Sequence, residues 1–128
     1  MAHGPTRKLT TGVAAMDAEH WELLTVLAQV RAAVDEQAAP AAVSALLLRL
    51  REEASAHFAA EEQLMRAHGY PMATSHQAQH ARFLDDLDRR VWAPGLVEAD
   101  VARLETWFAR HIELADQPLA DWVLRCTG

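Results

Sequence analysis

The chain has 128 residues, of which 51% are hydrophobic and 23% are charged, and its formal net charge is −6. The length suits one domain with a core of its own. A single cysteine, Cys126, excludes a disulfide framework within the chain, and the sequence lacks the basic clusters of a nucleic-acid-binding protein. We find no apolar run of roughly 18 residues that could span a membrane, and no apolar segment of a secretory signal. We therefore expect a cytoplasmic protein with no nucleic acid, no membrane and no obligatory protein partner.

Four amphipathic segments follow a polar N-terminal arm over residues 1–11. Pro40 fits the first turn of the second segment, and Gly69 fits its C-terminal cap. Pro118 is expected to end the fourth segment, with a last short helix after it over residues 119–125. Apolar residues recur at helical spacing in each long segment, which predicts helices over residues 16–37, 40–68, 73–91 and 97–115.

Long helices joined by short connections favour one architecture. Pro94 and Gly95 mark the turn before the fourth helix, and no segment alternates as a strand would. The sequence therefore predicts an all-α, antiparallel up-down four-helix bundle over residues 12–128, with a short N-terminal arm and a short C-terminal helix.

Histidine is unusually abundant, with seven residues in the chain. His3 belongs to the arm, and His68 ends the second helix, where an imidazole can meet the last carbonyl groups. The other five lie on the apolar faces of the helices, where the core is expected. Glu61 shares the inward face of the second helix. The inward-facing histidines are His20, His57, His76, His80 and His111.

Burying these side chains needs a physical explanation. Each unpaired buried polar group costs roughly 1–3 kcal/mol, and a domain is stable by only about 5–15 kcal/mol in total. A network of hydrogen bonds could satisfy the side chains, but a neutral imidazole offers only one donor. Metal coordination satisfies them better, because imidazole is a good ligand for iron, zinc, copper and nickel.

Asp116 is the next carboxylate in the chain after His111, but an ideal helix does not bring the two together. Five residues turn an α-helix by about 500°, so Asp116 would point roughly 140° away from His111. We expect Pro118 to end the helix and so allow Asp116 to turn inward; the alternative is a capping residue.

The number of candidate ligands indicates two metal ions rather than one. Five imidazoles and two carboxylates exceed the four ligands of a zinc ion. If both carboxylates bridge two octahedral ions, together with an oxide or hydroxide, then one coordination position stays open.

These residues, in this order, resemble the hemerythrin family, and within it the single-domain bacteriohemerythrins. The resemblance runs from about Gly12 to Leu119. It rests on His20, His57-Phe58-x-x-Glu61-Glu62, Met65, Gly69-Tyr70-Pro71, His76-x-x-x-His80-x-x-Phe83 and Trp107-x-x-x-His111-Ile112-x-x-x-Asp116.

The resemblance implies a di-iron centre that binds O2 reversibly and carries a bridging oxo or hydroxo group. It implies that His76, His80 and His111 hold one iron, and that His20 and His57 hold the other, which has the open position. It also implies that Glu61 and Asp116 bridge the two ions. It also implies a ligand pocket of apolar residues, namely Leu23, Phe83, Trp107, Phe108 and Ile112. We add Leu24 to this pocket because, like Leu23, it lies one turn after His20.

Two observations favour binding over catalysis, so we expect no enzymatic activity. Carboxylate-rich di-iron enzymes use Glu-x-x-His motifs, and no histidine here has a glutamate three residues before it. The expected pocket is also apolar and holds no general acid or base. The alternatives are a di-iron oxidase or peroxidase, a nitric-oxide-handling enzyme, an iron-handling protein, and a purely structural bundle.

Overall fold

The computed structural model describes residues 10–92 and 98–127. Most of the predicted arm, with His3, and the predicted turn at Pro94 and Gly95 therefore lie outside the described residues. The described chain forms α1 (Ala14–Asp35), α2 (Pro40–Ala67), α3 (Ala73–Trp92), α4 (Glu98–His111), a π-helical turn (Ile112–Asp116) and α5 (Gln117–Thr127).

Two of the predicted helix boundaries are confirmed at α2. Pro40 occupies the first turn, where its missing N–H leaves no gap in the hydrogen bonding. At the other end Gly69 adopts a φ of +57°, and the N–H of Tyr70 donates to the carbonyl of Met65 over 2.9 Å. This is the Schellman arrangement that glycine favours after a helix.

The prediction that Pro118 ends the fourth helix is wrong. His111 and Gln117, on either side of the π-helical turn, both have right-handed helical backbone angles, so α4, the turn and α5 follow one another without a break. Pro118 lies in the first turn of α5, where a proline is tolerated because the π-helical turn has already changed the hydrogen-bonding register.

The helices form the predicted all-α bundle. Helix α1 packs along α2 and α4, and α2 packs along α3, while α4, the π-helical turn and α5 act as one long fourth helix. Short connections make consecutive helices antiparallel. Residues 10–92 and 98–127 contain no β-strand, and none of their helices is long and apolar enough to cross a membrane.

The interior divides into two apolar cores with a polar layer between them. Along α1, Met16 belongs to one core, Leu23 belongs to the other, and His20 lies between them. Along α2, Glu61 lies in the same way between Phe58 and Met65. The same order recurs on α3 and on the fourth helix, so each long helix contributes polar side chains to the same level of the bundle.

Candidate metal centre

The polar layer consists of the seven side chains that the sequence singled out as ligands. All are buried, with exposures of 5% or less, and the two carboxylates are fully buried. Helices α1, α2 and α3 supply one, two and two of them, and the fourth helix supplies two. The members are His20, His57, Glu61, His76, His80, His111 and Asp116.

The layer contains two groups of ligand atoms that could each hold a metal ion. Both groups contain Glu61 and Asp116. The first group adds three histidines and the second adds two, so the arrangement is asymmetric. The first consists of Glu61, His76, His80, His111 and Asp116, and the second of His20, His57, Glu61 and Asp116.

Each carboxylate directs one oxygen to each group. Glu61 Oε1 lies 3.1 Å from His76 Nε2 and 3.0 Å from His80 Nε2, while Oε2 lies 2.7 Å from His57 Nε2. Asp116 Oδ1 lies 2.9 Å from His76 Nε2, and Oδ2 lies 2.8 Å from His20 Nε2. Neighbouring ligands of an octahedral ion with bonds of about 2.1 Å are about 3.0 Å apart, so these spacings fit coordination.

Hydrogen bonds donated by the outer ring nitrogen, Nδ1, hold three of the histidine rings in place. His57 Nδ1 donates to Glu19 Oε1, and His80 Nδ1 donates to Glu62 Oε2, each over 3.0 Å. His111 Nδ1 donates to the amide oxygen of Gln79, also over 3.0 Å. A proton on Nδ1 leaves the lone pair on Nε2, which is the tautomer a metal needs. The residues that hold the rings are Glu19, Glu62 and Gln79.

Hydrogen bonding within the layer does not satisfy its inner atoms. Both Asp116 oxygens and His57 Nε2 are buried without a hydrogen-bond partner, although Nε2 atoms lie within 3.1 Å of each Asp116 oxygen. His80 Nε2 faces His111 Nε2 at 3.2 Å, and with Nδ1 protonated on both rings this contact brings two lone pairs together. Atoms that approach closely without sharing hydrogens fit a metal cation between them.

The π-helical turn explains how Asp116 reaches the centre. A π-helix bonds residue i to residue i+5, so the residue five positions after His111 completes one turn and returns to the same face. Asp116 Oδ1 lies 3.1 Å from His111 Nε2. The inward position of Asp116 is therefore produced by a local change in helical period, and not by a helix that ends at Pro118.

Charge within the layer is balanced between imidazoles and carboxylates. Burial alone would lower the pKa of His20 and of His76, but the nearby carboxylates of Asp116 and Glu61 raise each pKa to about 9. Burial would likewise raise the pKa of Glu61, but the surrounding imidazoles hold it well below its usual range. Burial does lower the pKa of His111. Without a metal, protonated histidines therefore compensate the carboxylates.

The stability of the metal-free protein is expected to fall as the pH rises through 9. The pKa of His20 and of His76 is about 9 in the folded state against 6.5 in the unfolded chain. The stabilisation is therefore complete below pH 6.5 and is lost above pH 9. It is on the order of 3 kcal/mol in all, because both histidines owe their raised pKa to the same two carboxylates. Thermal unfolding followed by circular dichroism between pH 6 and pH 10 checks this, and a midpoint that stays constant or rises would contradict it.

Aromatic rings surround the group with three histidines. Phe58 stacks on His80 with ring centroids 3.9 Å apart, and Trp107 stacks on His111 at 4.5 Å. Phe83 stacks on Trp107 at 4.3 Å. Phe58 was not among the pocket residues predicted from the sequence, although it follows His57 directly. Its position against His80, one helix away, only appears once α2 and α3 are packed together.

The six predicted pocket residues differ in how much of each is exposed to solvent. Leu24 on α1 and Trp107 on α4 are half-buried. The remaining four are buried, each with an exposure of 3% or less, and are Leu23, Phe83, Phe108 and Ile112. His68 takes the helix-end role predicted for it, since its Nδ1 donates to the carbonyl of Leu64 over 2.9 Å.

Comparison with known proteins decides the family. The sequence model for the hemerythrin HHE cation binding domain matches residues 11–123. The chain belongs to the hemerythrin family. It is also 29% identical over 119 residues to a bacteriohemerythrin of Stenotrophomonas maltophilia (strain R551-3), a match that covers 90% of this chain and 77% of that protein.

Membership of the hemerythrin family gives the buried layer its general chemistry. Hemerythrins are iron- and oxygen-binding proteins, and the family domain implies an iron site. The seven buried side chains are the group able to hold a metal within the part of the hemerythrin chain that the structure describes. The hydrogen bonds of Glu19, Glu62 and Gln79 to the histidines were not predicted from the sequence, because each contact joins two different helices. Glu62 belongs to the motif at His57, but the motif did not indicate its contact with His80.

Proposed function

We propose that this hemerythrin is a di-iron protein that binds O2 reversibly. His76, His80 and His111 would hold one iron, and His20 and His57 the other, with Glu61 and Asp116 bridging them. The observation that carries this proposal is the asymmetry of the two groups: they share both carboxylates but contain three and two histidines. With equal coordination numbers and a bridging oxo or hydroxo group, the open position belongs to the iron with two histidines.

The chain's own residues favour binding over catalysis. When bound, the iron supplies the affinity for O2, and the protein supplies a dry surrounding. Leu23 follows His20 on α1, is 1% exposed and belongs to the apolar core that lies against the polar layer. Such a surrounding offers no proton donor that could release the oxygen as peroxide. We therefore propose storage, delivery or sensing of O2, without an enzymatic reaction, by a single bundle domain over residues 12–128 with residues 1–11 as an arm.

Metal analysis and optical spectroscopy test the proposal. The purified protein should retain two irons per chain through dialysis. After anaerobic reduction, O2 should produce a visible charge-transfer band that fades under argon and returns with fresh O2 over several cycles. Rapid, irreversible oxidation with catalytic consumption of peroxide would instead indicate an enzyme, and loss of the iron on dialysis would indicate iron handling.

A further inference from the structure

A surface cleft separates α3 from α4 beside the polar layer. The two helices approach less closely than the other neighbouring helices of the bundle, and the space between them has a volume of about 680 Å3. Sites for small molecules usually occupy about 300–1,000 Å3, so the cleft has the size of a ligand site. None of the seven buried polar side chains lines it, although Phe83 and Trp107, two residues of the predicted ligand pocket, do.

The floor of the cleft is aromatic and apolar. Phe83 and Trp107 both line it, with their rings stacked at an angle of 28°. Leu104 lies one turn before Trp107 and also lines the cleft. Trp107 is half-buried, so part of its indole remains accessible. A flat aromatic molecule can stack on such a surface and gain about 0.5–1.5 kcal/mol beyond its area burial.

The rim of the cleft carries five arginines, and two of them are already engaged. Arg90 Nη1 donates to Asp100 Oδ1 over 2.5 Å, and Arg103 Nη2 donates to the same oxygen over 3.1 Å. These two arginines therefore close the end of the cleft near the start of α4 and offer little charge to a ligand.

The other three arginines have no such partner. Three arginines of the rim are exposed and form no ion pair within residues 10–92 and 98–127, namely Arg82, Arg89 and Arg110. Of the two aspartates that line the cleft, Asp86 pairs with Arg90, and Asp85 forms no ion pair within the same residues. Arg82 precedes Phe83, and Arg110 lies one turn after Trp107, so both cations flank the stacked rings. This local excess of positive charge stands out on a chain whose net charge is −6.

We propose that the cleft binds an aromatic anion. The ring system of the ligand lies against Phe83 and Trp107, and its carboxylate, sulfonate or phosphate group accepts charge-assisted hydrogen bonds from Arg82 and Arg110. Guanidinium groups suit this role because they bind planar anions with two parallel donors and also stack on aromatic rings. The proposal does not depend on O2 binding.

The side chain of Trp107 connects the cleft to the metal centre. Trp107 contacts Phe83 on one side, and its indole lies nearly parallel to the ring of His111, at 10°. A ligand that shifts this indole therefore moves a group in direct contact with one of the buried imidazoles, while Gln79 holds the other side of that ring.

Fluorescence titration of the purified full chain with 1-anilinonaphthalene-8-sulfonate tests the proposal. We expect saturable binding to one site, and much weaker binding of N-phenyl-1-naphthylamine, which has the same rings without the sulfonate. Arg82→Gln and Arg110→Gln should each weaken binding of the sulfonate about tenfold, the size of one hydrogen bond to a charged group. Arg66→Gln, an exposed arginine on α2 away from the cleft, should leave the affinity unchanged.

A blocking variant separates the cleft from other surfaces. Thr106 is exposed and lines the cleft, so Thr106→Trp should fill it and abolish binding without changing any charge. Circular dichroism confirms that each variant is folded before titration. Wild-type affinity in Arg82→Gln and Arg110→Gln, wild-type affinity in Thr106→Trp, or equal binding of the neutral compound would each overturn the proposal.

Discussion

Replacing Glu61 by alanine is expected to remove both irons from the protein. Its two oxygens lie within 3.1 Å of three histidines, one in the second group and two in the first. Both proposed coordination sets therefore lose a ligand at once, and the remaining imidazoles lose the negative charge that balances a metal cation. Iron per chain after dialysis, measured by atomic spectrometry, should fall from two to nearly zero.

The loss of iron should also lower the stability of the Glu61 variant. A ligand present at 1,000 times its Kd stabilises the folded state by about 4 kcal/mol, and this contribution disappears with the metal. Glu61→Gln keeps the side-chain volume but removes the charge, so this variant should lose iron as well. Its loss of iron would show that the effect of Glu61→Ala does not come merely from the cavity left by the smaller side chain. His68→Ala, outside the layer, should retain both irons. Two irons in the Glu61→Gln protein would remove Glu61 from the proposed ligands.

Replacing His20 by alanine should remove one iron and leave the other. His20 belongs only to the second group, where its Nε2 lies 2.8 Å from Asp116 Oδ2. The group with three histidines keeps all of its nitrogen ligands in this variant. We therefore expect about one iron per chain, lower thermal stability, and no optical response to O2, because the iron with the open position is the one that is lost.

The matching variant on the other side is His111→Ala. It removes one of three imidazoles from the first group and none from the second, so it distinguishes the two sites. Two irons with an intact response to O2 in the His20→Ala protein would place the oxygen-binding iron elsewhere. We expect about one iron per chain in His111→Ala as well, and an optical spectrum that differs from that of His20→Ala, because the iron that remains has two imidazole ligands instead of three.

The sequence predicted the helices well, because apolar residues at a period of 3.6 define an inward face whatever the details of packing. Helix ends were less accurate. Helix α1 ends at Asp35 and not at residue 37, since Gln37 takes a φ of +55° in the cap. That conformation is typical of glycine or asparagine, so the residue type gave no indication of it.

The histidines were also found from periodicity, because each lies on an apolar face that must be buried. The inward position of Asp116 was not, since an ideal helix directs it roughly 140° away from His111. We attributed its inward turn to a helix end at Pro118, and its bridging role to the resemblance to hemerythrins. A π-helical turn is set by packing around it and has no reliable sequence signal. Glu19 and Glu62 were missed for a related reason. A carboxylate on a helix normally faces solvent, and only the assembled bundle brings these two to histidines.

The side chains of the polar layer are far apart in the sequence, from His20 to Asp116, so they are synthesised at different times. Four of the five imidazoles and Glu61 emerge before α4 is made. Synthesis proceeds at about 5–20 residues per second, so the 36 residues from Ala81 to Asp116 take a few seconds. During that interval the nascent chain would carry the other proposed iron ligands without the second carboxylate, so we expect the proposed di-iron centre to assemble only after the last helix has been made.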